Sequence, residues 1–290
     1  MPDPDRLQHL SALYADTSAT SLDGFHMRHP SMISRQGAVA LSYIIALIEL
    51  LGKFPSQIEW FVMALLAKLT GGFRPIGIFP MMYRLYGRIR LPIVQAWELE
   101  HDLDAFSCGP GKAAADTVWR QSIEAETAVA LNGAAAAALL DMEKFYEMFN
   151  RTKLWLRGRQ LGFNLTILRV ALVAYSHARI VTLNGLAAES VWATKGIIAG
   201  CSFARAIVRL YCLPLVSVVT STFPKAQFDF YIDDITVGMQ VEKDDHAVSS
   251  IVDYLSDAVR FLVSCIHSEL DCRVAIAKRC GCCIIAAAGG

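Results

Sequence analysis

"FDFYIDDITV" (residues 228–237) sets two adjacent aspartates, Asp233 and Asp234, between two short runs rich in aromatic and β-branched residues. The pattern reads as a hairpin of strand, tight turn and strand. Asp is a favoured turn residue because its carboxylate bonds its own backbone, so the pair alone does not establish a site. The chain supplies its own comparison. Asp244 and Asp245, in "EKDDHAVSSIVDYL", precede an apolar pattern of helical period, which is the ordinary place for acids at a helix N-terminus. What sets the first pair apart is a hairpin that would hold both carboxylates near one divalent cation.

A third carboxylate extends the argument. "AAAALLDMEKF" (135–145) reads as a buried strand ending near Asp141, although its alanines suit a helix as well. One acid at a strand end and two at a hairpin can converge on one side of a sheet. Carboxylate oxygens are the hard ligands that Mg²⁺ takes, with water and substrate phosphates completing its shell. Two such ions about 3.5–4 Å apart stabilise the attacking and leaving oxygens of a phosphoryl transfer. Turn or cap roles remain the rival for each residue.

Around these segments the chain is mixed. Residues 1–36 are polar and read as an irregular lead-in, and residues 37–290 as one domain. Apolar spacing is helical from Gln36 to about Leu69 and again in "MMYRLYGRIRL". "GGFRPIGIFP" (71–80) is a loop and strand. "CGPGKAAAD" (108–116) leads into a helix to about Leu131, and two helices follow at 146–160 and 164–177. "RIVTLNG" and "ESVWATKG" read as paired strands, "SFARAIVRLYCLPL" as a helix with Pro214 near its end, and 245–265 as a helix. "CRVAIAK" and "CCIIAAA" read as two short strands. Helices and strands without strict alternation give an α+β fold with an antiparallel sheet.

Composition bounds the function. Of the 290 residues 54% are hydrophobic, and mean hydropathy is +0.38, yet the apolar stretches at 38–52, 165–183 and 197–219 are short or carry Glu49, Arg169, Arg179, Arg205 or Arg209. No membrane partner is expected from them. The acidic, polar opening "MPDPDRLQHL" is unlike a secretory signal. Eight cysteines without one suggest free thiols in a nuclear or cytoplasmic compartment. Cys272, Cys280, Cys282 and Cys283 lack the paired Cys-x-x-Cys spacing of zinc sites, which favours buried thiols. Net charge is zero, but residues 148–226 hold ten basic residues against Glu189 alone, a net of +9. Such a block either lines a phosphate path or is scattered over solvated faces.

Read in order, the segments resemble the motifs of the reverse transcriptase domain of non-LTR retrotransposons, kin to group II intron reverse transcriptases, from about residue 60 to 280. "AKLTGGFRPIGIFPMMYRLYGRI" resembles the fingers signature, which implies that Lys68 and Arg74 contact the incoming triphosphate. "GPGKAAADTVWR" resembles the next segment, with Lys112 in place of the usual Arg. "LLDMEKFYE" resembles the first catalytic motif, making Asp141 a metal ligand and Tyr146 the aromatic ring that excludes a ribose 2′-hydroxyl. "TLNG" and "KGIIAGCSFA" match at Asn184, Gly185, Gly196 and Gly200, where a glycine lets backbone approach the nascent base pair. "FYIDD" resembles the Tyr-x-Asp-Asp hairpin in full, and "CRVAIAKRC" places Lys278 near the triphosphate as a proton donor to pyrophosphate. Six motifs in order are far more specific than any one.

The resemblance implies a right-hand polymerase with fingers and palm, its thumb absent or truncated. It implies an RNA-directed DNA polymerase of a retroelement, with two Mg²⁺ (or Mn²⁺) ions on Asp141, Asp233 and Asp234, and with an RNA template, a DNA primer and dNTPs as partners. The sequence departs from the family at Ala199 (usually Gln), Ser202 (Pro), Ala204 (Ser) and Glu147 (Asp). Those departures keep a second reading open, a catalytically weak or inactive fragment that retains the fold and binds nucleic acid.

Overall fold

The computed structural model describes residues 1–69, 71–241, 247–275 and 282–286. Along the chain run α1 (Pro4–Ala12), α2 (His29–Met32), α3 (Arg35–Leu51), a 3₁₀ turn (Ser56–Ile58), β1 (Trp60–Ala67), β2 (Phe73–Ile78), α4 (Met81–Glu100) and α5 (Ala114–Ala130). Then come β3 (Ala134–Glu143), α6 (Phe145–Met148), α7 (Arg151–Gln160), α8 (Leu165–Tyr175), β4 (Ala178–Leu183), β5 (Leu186–Val191) and α9 (Ala204–Thr222). The last elements are β6 (Gln227–Tyr231), β7 (Asp234–Val241), α10 (Ala247–Leu270), β8 (Arg273–Val274) and β9 (Cys282–Ala286). The chain divides into two units, Met1–Ala96 with Asn150–Ile207, and Trp97–Phe149 with Val208–Gly290. The boundaries fall inside α4 and α9 as well as before α7, so no linker composition marks them.

The first unit holds a four-stranded sheet of order β2-β1-β4-β5. It is mixed rather than purely antiparallel, because β1 and β4 run parallel. Residues expected to continue a helix to Leu69 instead form β1. The helix α3 ends where Gly52 adopts φ 64° and its N–H donates to Ile48 O at 2.8 Å. "WFVMALLA" is a continuous apolar run whose period cannot separate helix from strand. Pairing with β2 on one side and β4 on the other decides it. The expected irregular lead-in also contains helices. Asp3 caps α1, accepting from Asp5 N, with Pro4 at the first position, a start signal for a helix. Asn184 (φ 50°) and Gly185 (φ 81°) form the tight turn between β4 and β5.

The core of this unit is aromatic. Phe61 stacks on Phe79 at 4.9 Å, and Phe79 lies 4.4 Å from Tyr83. The Tyr83 hydroxyl sits 3.1 Å from Cys201 Sγ. Burial pushes the Cys201 thiol up, so it behaves as an inert apolar group. Cys108, Cys212 and Cys272 are likewise buried thiols, while Cys280, Cys282 and Cys283 lie outside the described side chains.

The second unit is built on an antiparallel sheet of order β6-β7-β3-β8, with β9 also pairing β3. One face is apolar and buried through Leu140, Met142, Phe228, Phe230, Ile235 and Val237. The opposite face carries Asp141, Asp229 and Asp234 by strand alternation. The helix α10 packs along β3, β7 and β8 with Ile251, Leu255, Ala258 and Leu262 buried. The helix α9 runs on through Pro214 to Thr222 rather than ending near the proline. Burial of Leu215, Val216 and Val219 offsets the lost backbone bond. By length and composition α9 could cross a membrane, a test that buried core helices also pass, and 67% of it is buried.

Candidate functional site

The hairpin forms where the sequence places it. In the β6–β7 ladder Tyr231 faces Asp234, and in the β7–β3 ladder Asp234 faces Asp141. One cross-strand row therefore reads Tyr231, Asp234, Asp141. Directly opposed Cβ atoms lie about 4.5–5.5 Å apart, and like charges so placed are destabilising. Asp233 is in the turn, and its carbonyl accepts from Met142 N at 3.0 Å, while Asp141 O accepts from Ala275 N at 2.8 Å. The C-terminal end of β3 and the turn are thus fixed by backbone bonds. Ile232, before the pair, stands at φ 61°, a left-handed conformation that a β-branched side chain adopts only at a cost of about 1–3 kcal/mol.

Asp141 and Asp233 are half-buried and Asp234 is exposed. Among the described residues no group of three or more His, Cys, Asp or Glu side chains is drawn together as a metal cage. The two opposed carboxylates still fit Mg²⁺, which is commonly held by one or two carboxylates together with phosphates and water. Tyr146 lies in α6, half-buried, its ring 6.3 Å from the buried ring of Phe145. The turn into α6 is made by Lys144 at φ 48°.

Asp229, two residues before Tyr231, was overlooked in the sequence. It is 4% exposed and lies on the carboxylate face, opposite Thr236. It accepts from Ser107 Oγ at 3.2 Å and Gln121 Nε2 at 2.8 Å, and it pairs with Arg120. The signal was present, since alternation within "FDFY" puts this acid on the face of Tyr231. Lys112 is spent locally: its Nζ donates to Asp102 Oδ1 at 2.9 Å, Leu103 O at 3.1 Å and Phe106 O at 2.8 Å.

In the first unit, Lys68 stands at the β1–β2 turn, where its N–H donates to Gly72 O at 3.0 Å. Arg74 faces Leu66 across the ladder, so alternation puts both cations on one face of the hairpin. Both are exposed, and neither side chain has an ion-pair partner among the described residues. Gly200 has φ 106°, and a Cβ there would lie 2.3 Å from Gly77 O. Its smallness is already required by the approach of β2, whose Gly77 N–H donates to Ala199 O at 2.8 Å.

Part of the basic block is turned inward. Arg151 donates to Gly196 O, Ala193 O, Tyr175 O and Lys195 O at 2.8–3.1 Å and to Ser176 Oγ at 3.1 Å. Burial, and then the neighbouring Arg179, draw its guanidinium down to about 10. Arg169 bonds Glu49 O and Leu50 O. In the second unit Arg209, 2% exposed, donates to Glu98 O at 2.6 Å, Asp102 Oδ1 at 2.8 Å and Cys108 O at 2.5 Å. Lys278 lies outside the described residues.

No protein-family model matches the sequence, and no curated protein matches it. Among solved structures the chain is similar to apo telomerase from Candida tropicalis truncated from its C-terminal domain, with a TM-score of 0.54 at 12% identity. The likeness covers 94% of this chain and 59% of that one, so the chain spans about three fifths of its neighbour's length. At that identity the likeness is one of fold, the mixed α and β, reverse-transcriptase-like fold that the chain shares with a telomerase.

Proposed function

We propose that the chain is the fingers-and-palm core of an RNA-directed DNA polymerase of retroelement origin. The observation that carries this reading is Asp141 directly opposite Asp234 beside a tight hairpin, in a reverse-transcriptase-like fold. Two opposed carboxylates are a donor set that Mg²⁺ takes together with phosphates and water. Two Mg²⁺ ions supply charge neutralisation for attack of a primer 3′-hydroxyl on the α-phosphate of a dNTP and for loss of pyrophosphate.

In this reading Asp141 and Asp233 hold the ions and Asp234 assists. Tyr146 packs beneath the sugar and selects deoxynucleotides. Lys68 and Arg74, exposed and without an acidic partner among the described residues, bind the triphosphate, and Lys278 donates a proton to pyrophosphate. RNA template and DNA primer are the partners. The replacements at Ala199, Ser202 and Ala204 favour a second reading, a relic that keeps the fold and binds nucleic acid without turnover.

Primer extension on an RNA template with Mg²⁺ separates the two. The polymerase reading expects dNTP incorporation that Asp233→Asn lowers by about 10³-fold. Template–primer binding with no incorporation by the unaltered chain supports the relic.

A further inference from the structure

Resting on the polymerase reading, we propose that Asp229 is a positioning residue: clamped by Arg120, Gln121 and Ser107, it sets where β6 and its turn hold the metal-binding carboxylates. Asp229 and its partner Thr236 form the cross-strand row next to that of Tyr231 and Asp234. The two rows are two residues apart, about 7 Å along the strand. A carboxylate that is 4% exposed is retained only if its oxygens are satisfied. Here Oδ1 takes Ser107 and Arg120, and Oδ2 takes Gln121. With its oxygens committed, Asp229 acts through the hairpin rather than on a metal ion.

The clamp matters because it joins α5 to this face of the sheet at β6. Between the helix and the sheet lies a cavity of about 170 Å³, walled by Glu124 and Ala125 on one side and Ala135, Ala137 and Gly238 on the other. A Cβ added at Gly238 would meet nothing within 4 Å. Apolar packing is therefore thin there, and the buried Asp229 carboxylate ties the half-exposed Arg120 and Gln121 of the helix to β6. Its Ser107 arm also holds the outer edge of β6: Ser107 N donates to Phe230 O at 3.0 Å, and Phe230 N to Ala105 O at 2.7 Å. Helix, loop and hairpin meet at one carboxylate. Releasing it frees β6 and the turn that follows it to shift, which moves Asp233 relative to Asp141, while Asp234 stays held opposite Asp141 by the β3–β7 ladder.

The test is Mn²⁺ binding to the full chain, read by electron paramagnetic resonance, alongside primer extension. Partners that orient a metal's ligands are typically worth 10–100-fold in affinity. Asp229→Asn should weaken the Asp233-dependent Mn²⁺ site by about tenfold and lower kcat similarly, with KM for dNTP within twofold. Ser107→Ala strands no charge and should move Mn²⁺ affinity the same way by about threefold, which covers the case in which Asp229→Asn does not fold. Wild-type Mn²⁺ affinity in the folded variant, or in Ser107→Ala if only that folds, overturns this inference and leaves the polymerase reading standing. A wild-type chain with no Mn²⁺ site sensitive to Asp233→Asn overturns both.

Discussion

Replacing Gly200 by Ala tests why that glycine is there. The new Cβ would lie 2.3 Å from Gly77 O, against ordinary contact beginning near 3.4 Å, and the residue would be forced to hold φ 106°. The strained backbone costs about 1–3 kcal/mol. Relieving the clash moves β2 from Ala199 and gives up the Gly77 N–H bond, worth about 0.5–1.5 kcal/mol. The expected loss is about 2–4 kcal/mol with no nucleotide or nucleic acid present, or roughly 3–7 °C in Tm. Urea unfolding followed by far-ultraviolet circular dichroism measures it. Gly24→Ala is the control, since Gly24 has φ 68° but open space around its Cβ position, leaving the strain alone. If the two variants unfold within 0.5 kcal/mol of each other, the close approach of Gly77 is not what Gly200 serves, and a bound base pair becomes the better reason.

Two further outcomes concern groups that the sequence leaves unassigned. Arg151→Met strips donors from four backbone carbonyls and should destabilise the chain by about 3 kcal/mol or more, seen as a lower urea midpoint with an unchanged slope. His177 lies edge-on to Phe54 at 5.3 Å, and burial lowers its pKa despite the opposing pull of Glu59. Its folded pKa is below the unfolded value of about 6.5, so the unfolded chain takes the proton first. Stability should be full above that pH and decline as pH falls through about 6.5 towards the folded value; urea midpoints at pH 7.5 and 5.5 should differ less in His177→Phe, and an equal difference would refute the assignment.

What could be read in advance follows from how local each signal is. The hairpin at 228–237 was legible because alternation and turn chemistry sit within ten residues, and β3 because its run ends in an acid. The strand β1 was not, since "WFVMALLA" carries no period and its identity comes from Gly77 and Val181, both opposite Met63. The helix α1 had its signals in Asp3 and Pro4, which the polar composition of the segment obscured. At the site, the opposition of Asp141 and Asp234 follows from ladder register, which a spacing of 93 residues could not fix. Asp229 was recognisable as facing the same way as Tyr231, but its partners Arg120 and Gln121 lie over a hundred residues earlier. The internal roles of Lys112, Arg151 and Arg209 were invisible for another reason: most of their partners are carbonyls, which every residue has and no letter distinguishes.

The inward arginines alter how ionic strength should act on any complex with a polyanion. Of the ten cations between residues 148 and 226, Arg151, Arg169 and Arg209 are bound to the chain's own carbonyls, and Arg157 is buried. At most six remain to displace counterions from a phosphate chain. Affinity falls with salt in proportion to the number of phosphates neutralised, with a log–log slope of about −0.9 for each on a duplex. The block's contribution should therefore be capped at a slope of about −5, where the letters alone would suggest about −9.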